Sequence, residues 1–136
     1  MADFELVWDS RCTIGESPVW DAVNRRVLFC DIQGKRIHAL SLDDDARTTY
    51  DLPEVVGSFG LCRSGRLVVA LRHRVALYDT RSRRLEDLTG AVVEPTSNRM
   101  NDSKVGPDGA FWVGSMDENT ARQTTGALYR VTGDGQ

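Results

Sequence analysis

Cysteine, histidine, lysine and long apolar runs are all scarce in this sequence, and each scarcity excludes something. The three cysteines, Cys12, Cys30 and Cys62, are odd in number and lack metal-ligand spacing. Cys30 and Cys62 lie beside or within apolar runs, where a free thiol behaves as a small hydrophobe. That pattern reads as a reduced, cytoplasmic protein. The only histidines, His38 and His73, are far apart and have no cysteine or carboxylate cluster beside them, which argues against a histidine metal site. Asp43-Asp44-Asp45 lacks the alternating oxygen donors and the glutamate of a calcium loop, and reads as a solvated turn. Lys35 and Lys104 are the only lysines. With 17 basic and 20 acidic residues and a formal net charge of -3, the chain offers no broad nucleic-acid footprint. The arginines Arg81, Arg83 and Arg84 are answered by Glu86 and Asp87, so this run reads as a solvated turn. No stretch approaches the ~18 apolar residues of a membrane-spanning helix, so no membrane partner is expected. The N-terminus, MADFELVWDS, has no basic region ahead of an apolar core and does not read as a secretory signal. Also missing is any long segment of helical period with caps at both ends.

What is there is strand after strand. At 136 residues, 40% hydrophobic and 27% charged, the composition is that of one soluble globular domain, residues 1–136, with no second domain. Residues 3–9, DFELVWD, alternate as a half-exposed strand would. Arg26 to Ile32 is nearly continuous apolar and reads as a strand buried on both faces. After the turn Gln33-Gly34-Lys35, Arg36 to Leu42 alternates strictly, with His38 on the leucine face. The same order then recurs: short strand Ser58–Cys62, turn, buried strand Leu67–Leu71, alternating strand Val75–Asp79. A third copy runs from Ser103 to Val131, with Phe111-Trp112-Val113 as the buried strand and Ala127–Val131 as the outer one. This recurrence predicts an all-β chain of about three antiparallel propeller blades. Three blades fall short of the roughly four with which closed propellers begin. The expectation is therefore that a longer chain or a partner chain completes the ring, and that Val131–Gln136 is an inter-blade turn at a boundary.

The chemistry concentrates in Asn98 to Asp117, NRMNDSKVGPDGAFWVGSMD. Residues two apart on a strand share a face, so Arg99 and Asn101 project together while Met100 and Asp102 point away. A guanidinium beside a carboxamide offers a fork of donors and one acceptor, which suits a polyhydroxylated or carboxylate-bearing ligand. From the residues alone, a solvated polar loop remains the alternative. Earlier in the chain, Gly15 and Pro18 bracket Glu16 and Ser17 on a bend that feeds a strand at Val19-Trp20. Glu16 there is either a ligand reaching inward or a solvated carboxylate.

Four stretches together resemble the gluconolactonase and regucalcin (SMP-30-like) family of six-bladed propellers, over about Leu6 to Asp134. They are Gly15-Glu16-Ser17-Pro18-Val19-Trp20, VLFCDIQG from Val27 with Lys35 after it, NRMNDSKV with Pro107, Gly109 and Gly114-Ser115-Met116, and Gly126-Ala127-Leu128-Tyr129-Arg130. The resemblance implies the N-terminal half of a metal-dependent hydrolase that opens small sugar lactones to aldonic acids. It implies a divalent metal at Glu16, calcium first, with zinc, magnesium or manganese also accommodated. It implies substrate contacts from Arg99 and Asn101. The general base, an aspartate, and the remaining metal ligands are expected outside this chain. One departure stands out: some relatives carry a substrate-contacting glutamate where this chain has Asn119, with Glu118 beside it. Neither residue is assigned a role on that basis. Two other classes stay open, a metal-binding propeller without catalysis and an assembly module.

Overall fold

The computed structural model describes residues 1–133; the boundary turn expected at the C-terminus lies partly outside them, at residues 134–136. Eleven strands and no helix are present among the described residues. The first sheet holds β1 (Gly15–Asp21), β2 (Arg26–Asp31), β3 (Arg36–Ser41) and β4 (Arg47–Asp51), in chain order. The second holds β5 (Ser58–Leu61), β6 (Leu67–Ala70), β7 (Val75–Asp79) and β8 (Arg84–Asp87). The third holds β9 (Asn98–Val105), β10 (Phe111–Asp117) and β11 (Leu128–Val131). All pairings are antiparallel between neighbours in sequence, as short turns require. Each sheet is one blade, and the first strands β1, β5 and β9 run next to one another.

The core lies between blades. Leu28, Cys30 and Ile37 of the first blade meet Phe59, Leu67, Val69 and Tyr78 of the second. The alternate residues of the second blade, Val68, Ala70 and Val75, meet Met100, Phe111 and Val113 of the third. β6 is therefore buried throughout, which is why its sequence is apolar at every position. Gly57, at the entry to β5, sits so close to β9 that a Cβ there would lie 2.2 Å from the Met100 carbonyl oxygen.

Three sequence expectations are corrected here. Residues 3–9 form no strand; this segment is irregular, and Trp8 stacks edge-on against Phe29 and His38. The first two blades have a fourth strand that the repeat did not reveal, because Arg47–Asp51 and Arg84–Asp87 are polar edge strands with little apolar pattern. Trp112, read as the centre of a buried strand, is 38% exposed. Phe111 and Val113 face the second blade, and the pleat turns Trp112 to the opposite face, where Arg130 lies over its ring.

Candidate active site at one end of the blades

Arg99 and Asn101 do come together. Arg99 is only 5% exposed, and its Nη1 donates to the Met100 carbonyl and to Asn101 Oδ1, both at 2.9 Å. The start of β9 is held from several sides. The Asn98 amide donates to Glu94 and to the Thr125 carbonyl, and its Oδ1 accepts from the Thr125 hydroxyl. His73 Nε2 donates to the Asn98 carbonyl at 2.8 Å, and the Met100 amide donates to the Arg72 carbonyl at 2.9 Å. β9 also carries one extra residue against β10: Val113 faces Ser103, while Ser115 faces Met100. Such bulges bend a strand and re-aim its side chains.

β1 has the same device. Glu16 pairs with Cys30 and Val19 with Leu28, so one residue bulges between them, and Ser17 takes a left-handed φ of 56°. The bend expected around Glu16 is thus a bulge inside a strand rather than a loop ahead of one. The segment leading into it is fixed by Asp31, whose carboxylate accepts from the Thr13 and Ile14 amides. Burial pushes the Asp31 carboxyl up, but the Ile14, Thr13 and Gly34 amides outweigh it and hold the group below the usual aspartate range. Glu16 itself is exposed. It lies near enough to Arg99 for its negative charge to favour the guanidinium's charged form.

The structure adds residues that sequence reasoning left out. Glu118 Oε2 accepts from Arg72 Nη1 at 2.6 Å, and Oε1 accepts from Gln33 Nε2 at 2.8 Å. The same Oε1 lies 3.7 Å from Arg99 Nε, which is buried and makes no hydrogen bond. Gln33, Arg72 and Glu118 each follow the second strand of their own blade, so all three emerge at one end of the molecule. Burial raises the Glu118 carboxyl, but Arg72, Gln33 and the charge of Arg99 together hold it below the usual glutamate range. Burial pulls Arg99 below its ordinary value, Glu118 and Glu16 oppose this, and Arg122 and Arg72 add to it. Asn119, by contrast, is exposed, and its backbone amide donates to Asp117.

This end of the molecule therefore presents guanidinium and carboxamide groups on a rigid strand, with one exposed carboxylate nearby. That set can bind and orient an oxygen-rich ligand. It does not by itself fit a divalent cation: among the described residues no group of three His, Cys, Asp or Glu side chains converges, and Glu16 is a single carboxylate. A separate groove at the opposite end of β9, lined by Leu61, Val68, Phe111 and Val131, contains none of Glu16, Arg99, Asn101 or Glu118.

Residues 14–136 match the family described as SMP-30/Gluconolactonase/LRE-like region. The 6-deoxy-6-sulfogluconolactonase of Pseudomonas putida is 36% identical over 118 residues, covering 87% of this chain and 40% of that protein. Regucalcin of Homo sapiens is 32% identical over 136 residues, covering 96% of this chain and 45% of that protein. Among solved structures, a calcium-binding protein, regucalcin, from Agrobacterium tumefaciens superposes with a TM-score of 0.83 at 25% identity, covering 92% of this chain and 42% of that one. The chain spans less than half the length of these relatives.

Proposed function

Since the chain belongs to the SMP-30/gluconolactonase/LRE-like family, we propose that it supplies the first three blades of a six-bladed sugar lactonase that opens small sugar lactones to aldonic acids. The observation that carries this reading is the Arg99–Asn101 pair, joined at 2.9 Å on one strand face beside the bulge of β9. In this reading Arg99 and Asn101 hold the hydroxyls of the lactone and orient its ring, which is positioning rather than bond-making. Because Arg99 is buried and already spends Nη1 on the backbone and on Asn101, it meets the substrate in a fixed orientation.

Glu16 would give one carboxylate to a divalent-cation site, calcium first, whose other donors come from outside these residues. The calcium-binding description of the Agrobacterium protein supports that choice of metal. The donors present here do not make a cation site alone, so no step is drawn through the metal. The base that activates water would likewise come from outside these residues. Hydrolysis adds water across the ring ester: the acyl–oxygen bond breaks, the ring oxygen leaves as a hydroxyl, and a carboxylate and a proton appear.

That proton gives the test. The protein expressed from its own gene is mixed with glucono-1,5-lactone, and acid release is followed with calcium, with other divalent ions and with chelator. Metal-dependent release above the spontaneous rate is expected. Calcium binding without any acceleration would instead favour a non-catalytic metal-binding propeller, a reading to which the same calcium-binding description lends support.

A further inference from the structure

Three blades converge on one carboxylate. Glu118 takes a hydrogen bond from Gln33 of the first blade and one from Arg72 of the second, and it follows the end of β10 in the third. Its own amide donates to the Ser97 carbonyl at 2.8 Å, so the backbone that carries it is tied to the start of β9. It is 26% exposed as a side chain, and Arg99 beside it only 6%. We propose that Glu118 is a positioning residue that sets the orientation of Arg99 and locks that orientation to the neighbouring blades. The proposal rests on the reading of Arg99 as a substrate contact, but its structural half does not depend on lactone hydrolysis.

Arg99 has a carboxamide and a carbonyl on its Nη1 side and nothing bonded to Nε. On the Nε side lies the carboxylate of Glu118, its Oε1 at 3.7 Å. Arg72 and Arg122 are near enough to disfavour the charge of Arg99, and the Glu118 carboxylate opposes them. Arg72 and Gln33 in turn keep Glu118 from rotating away, because each oxygen is already engaged. The orientation of a residue on β9 is thus set by side chains 46 and 85 positions away from Glu118 in the chain. Losing that constraint misplaces a substrate contact by a fraction of an ångström to an ångström, a shift worth up to ~10²-fold in rate.

The test uses the protein as expressed from its own gene. E118Q keeps the shape and removes the charge. The expected result is a fall of ~10-fold in kcat/KM for the lactone, carried by KM. It should come with a changed chemical shift and faster exchange of the Arg99 Nε–H proton, assigned by its loss in R99K. In an R99A background, E118Q should cost little more, since both act through one contact. An E118Q protein with unchanged kinetics and an unchanged Arg99 signal would overturn the proposal. So would a loss that is fully additive with R99A, which marks a structural role only. If E118Q does not fold, Q33A removes a partner in the first blade, and a weaker shift of the same Arg99 signal is expected; no shift would count against the proposal. Failure of the wild type to hydrolyse any lactone would sink the function proposed above and leave the Arg99 signal as the deciding readout here.

Discussion

At the residue scale, Arg99 and Glu16 play unlike parts and call for unlike tests. Arg99 is buried, internally bonded and poised on a rigid strand, so R99A removes a directed contact and also the acceptor's partner at Asn101. We expect R99A to lower lactone turnover by roughly 10²-fold while far-UV circular dichroism keeps its strand signature; unchanged turnover would refute the contact. The Glu16 side chain is exposed and makes no hydrogen bond or ion pair with the other described residues, so E16Q should leave the apo protein's melting temperature nearly unchanged. Its effect belongs to the metal-loaded state: a ligand that binds only the folded protein raises the melting temperature by mass action, and E16Q should shrink that rise. Equal thermal shifts on adding calcium to both proteins would remove Glu16 from the metal site. Arg99 and Asn101 were legible in the sequence because strand periodicity alone puts them on one face. Glu118 was not, because DENT at a strand end looks like any polar turn, and the groups that give it meaning, Gln33 and Arg72, arrive only when the blades stack.

At the scale of elements, the repeat showed through wherever a strand is buried and vanished wherever it is not. β2, β6 and β7 announced themselves by apolar runs and alternation, since each packs against another blade. β4 and β8 stayed hidden because an outermost strand buries little and keeps charged residues along its edge. The bulges in β1 and β9 were also out of reach, as a one-residue shift in pairing is a property of two strands and not of either alone. The linker before β9 carries a testable clasp. Glu94 accepts from Ser115 Oγ at 2.6 Å, from Tyr129 Oη at 2.5 Å and from Asn98 Nδ2 at 3.2 Å. Burial raises the Glu94 carboxyl, but these three donors outweigh it and hold the group below its ordinary 4.5. The same bond to Glu94 pushes the Tyr129 phenol up to about 12. A carboxylate whose folded value is depressed adds stability that is present above its unfolded value and is lost as pH falls through the folded one. The Glu94 contribution should therefore be intact at neutral pH and fade below pH 4.5. Urea titrations of wild type and E94Q should differ in midpoint at pH 7 and converge in acid. A gap that stays constant down to pH 3 would show that the clasp is not ionic.

At the scale of the whole molecule, the second blade has a neighbouring blade on both faces and the other two have one on a single face each. The uncovered face of the third blade shows Trp112 and Leu128, the latter 69% exposed. On the first blade, Trp20 is 45% exposed, and the segment before β1 adds Phe4 and Leu6 to the surface. In a stacked array such faces meet further blades, and apolar area left open in this way drives association. The chain spans less than half of its relatives' length, so the face beside Trp112 and the face beside Trp20 are where we propose that the remaining blades pack. Trp112 and Met116 lie on the face of β10 turned away from the second blade, and with Leu128 they leave apolar area that a further blade would cover. Residues 1–136 produced by themselves should then self-associate, bind calcium only weakly through a lone Glu16, and release no acid from gluconolactone. Adding the rest of the propeller as a separate chain should restore a single compact species, shield Trp20 and Trp112 from acrylamide quenching, and bring activity with it. Analytical ultracentrifugation of residues 1–136 decides the first step. A well-behaved monomer that hydrolyses lactone unaided would mean that the binding groups at this end of three blades need no others.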